Sequence, residues 1–271
     1  MSASTFGKIL HDIEELGRLK VLRLIGTGEP LLNKNFLTMA QLAKQSEFID
    51  KVELTTNALL FGRKEYKEKL TENLDRIIIS IEGLDGASYH EVAGVKVDFD
   101  KLVNDIKELY EMRSNKDCII YIKIHNNSIK SDRDLQKFYD LFADKCDEIF
   151  VENLVNLWPE TVSNLGLDNG HRFGFEDKRQ LVCSQIFKSM MINANGDVVP
   201  CCVDFKRVNR LGNVNSMSLK EIWDGQQLLE LRKKHLSGQG GSISPCSGCS
   251  YYQSDLDNID DHRFEILNRI S

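Results

Sequence analysis

The stretch Leu19–Leu31, LKVLRLIGTGEPL, decides the fold of this chain. Its opening part, Leu19–Ile25, is an apolar run of strand length. The Gly-Thr-Gly-Glu-Pro that follows cannot extend that strand, because glycine and proline both punctuate regular structure. A buried strand running into a glycine-rich turn is the start of a βα unit. Working outward, the same alternation recurs. Phe6–Leu16 reads as a helix before it. After it come a helix at Leu37–Ser46, a strand at Val52–Thr56, a helix at Glu65–Glu72 and a strand at Arg76–Ile81 (RIIISI). A helix at Phe99–Met112, a strand at Cys118–Ile124 (CIIYIKI), a helix at Asp132–Ala143 and a short strand at Glu148–Val151 complete the series. Strands alternating with helices predict an α/β fold with a parallel sheet. Right-handed crossovers then give an open sheet or a full or partial barrel.

Composition excludes several classes. The chain has 271 residues, 41% of them hydrophobic, enough for a sizeable core. Its formal net charge is −6, without the basic stripe of a nucleic-acid binder. It has no apolar run of about 18 residues, so no membrane partner is expected. The opening MSASTFGKIL lacks the layout of a signal peptide, and the expected location is cytoplasmic.

The pattern changes near residue 155. Residues 156–182 show little periodicity and read as a linker between a barrel-like region, 1–155, and a smaller domain, 183–271. In the latter, Met190–Val199 (MMINANGDVV) predicts a hairpin turning at Asn195-Gly196. Met217–Leu236 reads as one helix, with Ser218 and Glu221 spaced as a capping box. The chain has 7 cysteines, an odd count that argues against a disulfide framework. Five follow residue 182, and Cys246 and Cys249 form a Cys-x-x-Cys pair. Clustered thiols of this kind suit a metal centre, either all-thiolate zinc or iron–sulfur. Cys118, in an apolar strand, and Cys146, near a helix end, read as core thiols. Cys202 is left out because alternation points it away from Cys201.

In such folds function gathers at the carboxyl ends of the strands. The first strand ends in Gly26, Thr27, Gly28 and Glu29, where backbone and carboxylate can meet a ligand. The second ends in Thr55, Thr56 and Asn57, which suit ligand contact or helix capping. Ser80 and Glu82 share one face of the third, and Lys123 and His125 one face of the fourth. The fifth is followed by Asn153, Asn156 and Trp158, individually ambiguous.

The ordered set Gly-Thr-Gly-Glu-Pro-Leu, Thr-Thr-Asn and Ser-Ile-Glu-Gly on successive strands resembles the radical S-adenosylmethionine (SAM) superfamily. That resemblance implies a partial (β/α)6 TIM-like barrel. Gly26, Thr27, Gly28 and Glu29 would hold the methionine part of SAM. Ser80 and Glu82 would lie near its ribose, and Thr56 and Asn57 would join the cofactor-binding set. Cys183, Cys201, Cys246 and Cys249 resemble the small SPASM/twitch extension and would bind one auxiliary [4Fe–4S] cluster. The implied activity is an oxidoreductase that abstracts hydrogen from a small-molecule or peptide substrate by way of a 5′-deoxyadenosyl radical. The auxiliary cluster would accept an electron or organise substrate. Lys123 and His125 would serve as catalytic contacts, and a flavodoxin- or ferredoxin-type donor would supply electrons.

One departure stands out. The family's Cys-x-x-x-Cys-x-x-Cys motif, which holds the SAM-cleaving cluster after the first barrel strand, occurs nowhere in these residues. The first strand is therefore expected to be missing. A second [4Fe–4S] cluster is expected only if a preceding segment supplies its ligands. The alternatives are a degenerate barrel acting as an iron–sulfur accessory and a zinc-stabilised α/β protein.

Overall fold

Five strands, β1 (Leu22–Leu24), β2 (Val52–Thr56), β3 (Arg76–Ile81), β4 (Ile119–His125) and β5 (Glu148–Glu152), pair in parallel in sequence order. Each crossover returns the chain beside the strand it left, always advancing in one direction. This is the winding of a barrel wall, and it has no switch point of the doubly wound type. The helices between them are α1 (Ala3–Leu16), preceding β1, then α2 (Phe36–Gln45), α3 (Lys64–Asn73), α4 (Gly86–Ala93), α5 (Phe99–Met112) and α6 (Asp132–Phe142). The computed structural model describes residues 1–155, 173–174, 180–251 and 255–271. They divide into two compact units, Ser2–Glu152 and Asn153–Ser271. The expected linker falls mostly outside the described residues, as do Asn156 and Trp158.

Register gives the sheet two unlike faces. Leu54, Ile77, Ile79, Ile81, Ile120, Ile122 and Ile124 are buried and form the apolar layer under the helices. The alternate residues of β3 to β5 include Arg76, Ser80, Tyr121, Lys123, His125, Glu148 and Glu152, so the other face is polar. The amino-terminal edge is tied by a repeated device. Asp75 Oδ2 accepts the Val52 amide at 2.8 Å, and Asp147 Oδ2 accepts the Ile120 amide at 2.8 Å. Arg113 pairs with Asp147 through both guanidinium nitrogens. These bonds satisfy strand amides that would otherwise end unpaired.

Helix α4 was not legible from apolar periodicity. Its start is set by Asp85 and Ser88, whose side chains cap each other's backbone. Gly94 ends it in the left-handed conformation, at φ 70°.

In the second unit the hairpin forms as β6 (Met191–Ile192) and β7 (Asp197–Val199), joined by a third antiparallel strand, β8 (Gly212–Asn213). Gly196 turns it at φ 89°. The single helix expected over Met217–Leu236 is two, α7 (Leu219–Trp223) and α8 (Gln226–Leu236). Gly225 causes the break: a Cβ there would stand 2.9 Å from the Glu221 carbonyl, and its extended backbone starts α8 afresh. The Ser218–Glu221 capping box does start α7. No helix among the described residues is long and apolar enough to cross a membrane.

Candidate cofactor-binding site

The carboxyl ends of β1, β2 and β3 open into a cleft of 340 Å³ lined by Ile25–Pro30, Thr55–Asn57 and Ser80. Gly26, Thr27, Gly28, Glu29, Thr56, Asn57 and Ser80 therefore share one cavity. Glu29 is its hub. One carboxylate oxygen accepts the Leu31 amide at 3.1 Å and the Thr56 hydroxyl at 2.7 Å. The other accepts the Asn57 amide at 2.9 Å. The first bond caps the turn Pro30–Leu32, and the other two fasten β1's end to β2's. A carboxylate offers about four lone-pair positions, so room remains for one more donor, such as a ligand ammonium. A Cβ built on Gly26 or Gly28 meets nothing within 4 Å. Their bare backbones face open space that a ligand can fill, and the residues present suit SAM.

Glu82 lies outside the cleft lining. Burial raises its carboxyl pKa above the usual carboxylate range, and the charge of Lys123 only partly opposes this. Ser80 stands opposite Lys123 in register, and His125 opposite Glu152. Lys123 is paired: its Nζ lies 2.7 Å from Glu152 Oε2, with both residues buried. The Tyr121 hydroxyl donates to the other oxygen of Glu152 at 3.4 Å. Glu152 and Tyr121 were missed by sequence reasoning. Strand alternation carried through β4, and the strand β5 read one residue longer, would have exposed both.

In the second unit, the Cys249 sulfur accepts the Tyr251 backbone N–H at 3.3 Å, and nearby backbone amides, of Gln185 for Cys183 and of Val203 and Asp204 for Cys201, favour the thiolate and partly offset burial. An amide N–H beside a sulfur stabilises its anion. Charge on Cys246 or Cys249 raises the pKa of Cys183, and charge on Cys183 raises that of Cys201, so the four sulfurs share one field. Burial is the larger cause. It pushes Cys183 up to about 12 and Cys249 up to about 11. Thiols held this way need a bound cation's charge to ionise together. Among the described residues no group of three or more His, Cys, Asp or Glu is close enough to hold a single metal ion. A polynuclear cluster accepts wider ligand spacing, and the all-thiolate donor set suits it. Cys202 is exposed, whereas Cys118 and Cys146 are buried.

The family model for the radical SAM superfamily matches residues 3–139, half of the chain. The chain belongs to the radical SAM superfamily. A second model, for the SPASM iron–sulfur cluster-binding domain, matches residues 183–250 and so spans all four cysteines. This radical SAM chain therefore takes SAM and an iron–sulfur cluster as cofactors. It is 27% identical over 267 residues to the tungsten-containing aldehyde ferredoxin oxidoreductase cofactor-modifying protein of Pyrococcus furiosus, covering 84% of this chain and 73% of that protein. It is 27% identical over 139 residues to the GTP 3′,8-cyclase of Haemophilus influenzae, covering 49% of this chain and 39% of the cyclase. The chain thus spans well under half the length of that cyclase. Among solved structures, Streptococcus suis SuiB bound to S-adenosylmethionine superposes with a TM-score of 0.62 at 19% identity, covering 95% of this chain and 65% of that one. BtrN in complex with AdoMet and 2-DOIA gives 0.56 at 17% identity, covering 92% and 80%. These two likenesses show the fold.

Proposed function

We propose that this chain supplies the substrate-side barrel and the auxiliary cluster of a radical SAM oxidoreductase acting on a small molecule or peptide. The reading is carried by one observation: the Glu29-centred cleft, where three successive strand ends bring eight polar or glycine positions together. Reductive cleavage of SAM in this superfamily supplies the carbon radical that removes a substrate hydrogen atom. An auxiliary [4Fe–4S] cluster, when bound, would supply an electron-accepting or substrate-orienting centre. Cys183, Cys201, Cys246 and Cys249 are its ligands. Gly26–Glu29 receive the methionine end of SAM, with Glu29 accepting from its ammonium group, and Thr56, Asn57 and Ser80 complete the wall. Glu82 lies towards the ribose. Lys123, paired with Glu152, and His125 contact substrate and move its protons. Electrons come from a flavodoxin- or ferredoxin-type donor. The names of relatives, a cofactor-modifying protein and a GTP cyclase, support the small-molecule part of the substrate class.

The test is strictly anaerobic reconstitution followed by metal analysis and SAM calorimetry. A brown protein with about four iron and four sulfide per chain, binding SAM through Glu29, is expected. A colourless preparation holding stoichiometric zinc overturns the reading.

A further inference from the structure

The segment 255–260, beyond the last cysteine, folds back onto the turn that carries the first. Asp260 Oδ2 accepts the Leu181 amide at 2.9 Å, and its Oδ1 accepts the Val182 amide at 2.9 Å. These are the two residues before Cys183. Just after Cys183, Asp255 Oδ2 accepts the Ser184 hydroxyl and, at 2.8 Å, the Gln185 side-chain amide. Asp255 Oδ1 takes Lys188 Nζ at 2.9 Å, and the Asp255 carbonyl takes the Gln180 amide group at 2.8 Å. The Asp255 side chain is only 6% exposed, so these bonds form with little competition from water.

We propose that residues 255–260 are a clamp that presents Cys183 to the auxiliary cluster, with Asp255 and Asp260 as positioning residues on either side of it. The inference rests on the assignment of Cys183 as a cluster ligand. The argument is one of preorganisation. Cys183 sits on a short turn, where no strand ladder or α-helix fixes the backbone. The amides of Leu181 and Val182 would otherwise be left to water. Asp260, from a segment more than 70 residues away, satisfies both amides, while Asp255 from the same segment holds the Ser184 hydroxyl on the other side of Cys183. Groups behind a metal ligand commonly govern how tightly and in what geometry it binds.

The experiment compares the full chain with D260A, D260N, D255A and the control D261A. Asp261 is exposed and carries the same charge one position from Asp260. Each protein is reconstituted anaerobically with iron and sulfide. The readouts are iron content, the paramagnetic resonance spectrum of the reduced cluster, and the rate of iron loss to a chelator. D260A and D255A are expected to lose iron about ten-fold faster or more and to show an altered spectrum. D260N keeps an acceptor oxygen and is expected to recover most of the wild-type behaviour, while D261A matches wild type. Far-ultraviolet circular dichroism of each apo variant separates a displaced ligand from an unfolded domain. If D260A and D255A fold, load, hold iron and give the wild-type spectrum, the clamp is overturned while the ligand assignment stands. If wild type takes up no iron, the ligand assignment fails and takes the clamp with it.

Discussion

Lys123 and Glu152 form a buried ion pair, 2.7 Å apart, that joins β4 to β5 on the polar face of the sheet. Such a pair is costly to break by halves. Removing one partner leaves the other charge in a poor solvent. Glu152→Gln or Lys123→Met alone is expected to lower unfolding stability by about 3–5 kcal/mol. The double substitution is expected to cost clearly less than the sum. Urea unfolding of the four proteins gives the coupling, and strict additivity would show that the pair does not act as a unit.

Thr56 fastens Glu29 in the orientation the cleft requires. Thr56→Val keeps the shape and removes the hydroxyl. About 1–3 kcal/mol of stability should go with that bond, since the carboxylate loses a donor in a part-buried setting. SAM affinity, read by calorimetry on reconstituted protein, should fall with it. Undiminished affinity would show that the Leu31 and Asn57 amides alone fix the carboxylate.

Glu82 makes stability depend on pH in a definite direction. Its folded-state pKa is raised by burial, so the folded protein favours the neutral acid. Below the unfolded carboxyl pKa the group is neutral in both states and costs nothing. As pH rises through the folded pKa, the charged form is penalised only in the folded state, and stability is lost. Glu82→Gln should therefore raise the Tm of the apo protein at pH 7, by about 2 °C or more, and leave it unchanged near pH 4. A gain that persists at acid pH would have to come from packing.

The cysteines divide by role. Replacing any one of Cys183, Cys201, Cys246 or Cys249 with Ala should sharply reduce iron content after reconstitution. Cys202→Ala should keep about four iron per chain, because its thiol is exposed while that of its neighbour is half-buried. Iron loss in the Cys202 variant alone would reassign the ligand.

The 271 residues contain no Cys-x-x-x-Cys-x-x-Cys. Supplied with SAM and dithionite, this chain by itself is expected to yield no 5′-deoxyadenosine above background. Chromatography of the quenched mixture checks it.

Local signals account for much of what was legible beforehand. Val52–Thr56, Arg76–Ile81 and Phe99–Met112 appear in the structure with the boundaries that periodicity predicts. Apolar spacing and turn chemistry act over a few residues, so they survive any tertiary arrangement. Where a local rule was overlooked, the expectation failed. Gly225 divides the helix expected to run on to Leu236, and Asp85 with Ser88 starts a helix that has little apolar stripe.

By itself the sequence determined the alternation of strand and helix, the polar residues at each strand end, and the four late thiols. All of these follow from residue type and short spacing. Only the tertiary structure decided that Thr56 holds Glu29, that Glu152 neutralises Lys123, and that Asp255 and Asp260 flank Cys183. Those partners lie 27 to 78 residues apart. Their meeting is fixed by strand register and by how one segment packs on another, and no local pattern encodes either.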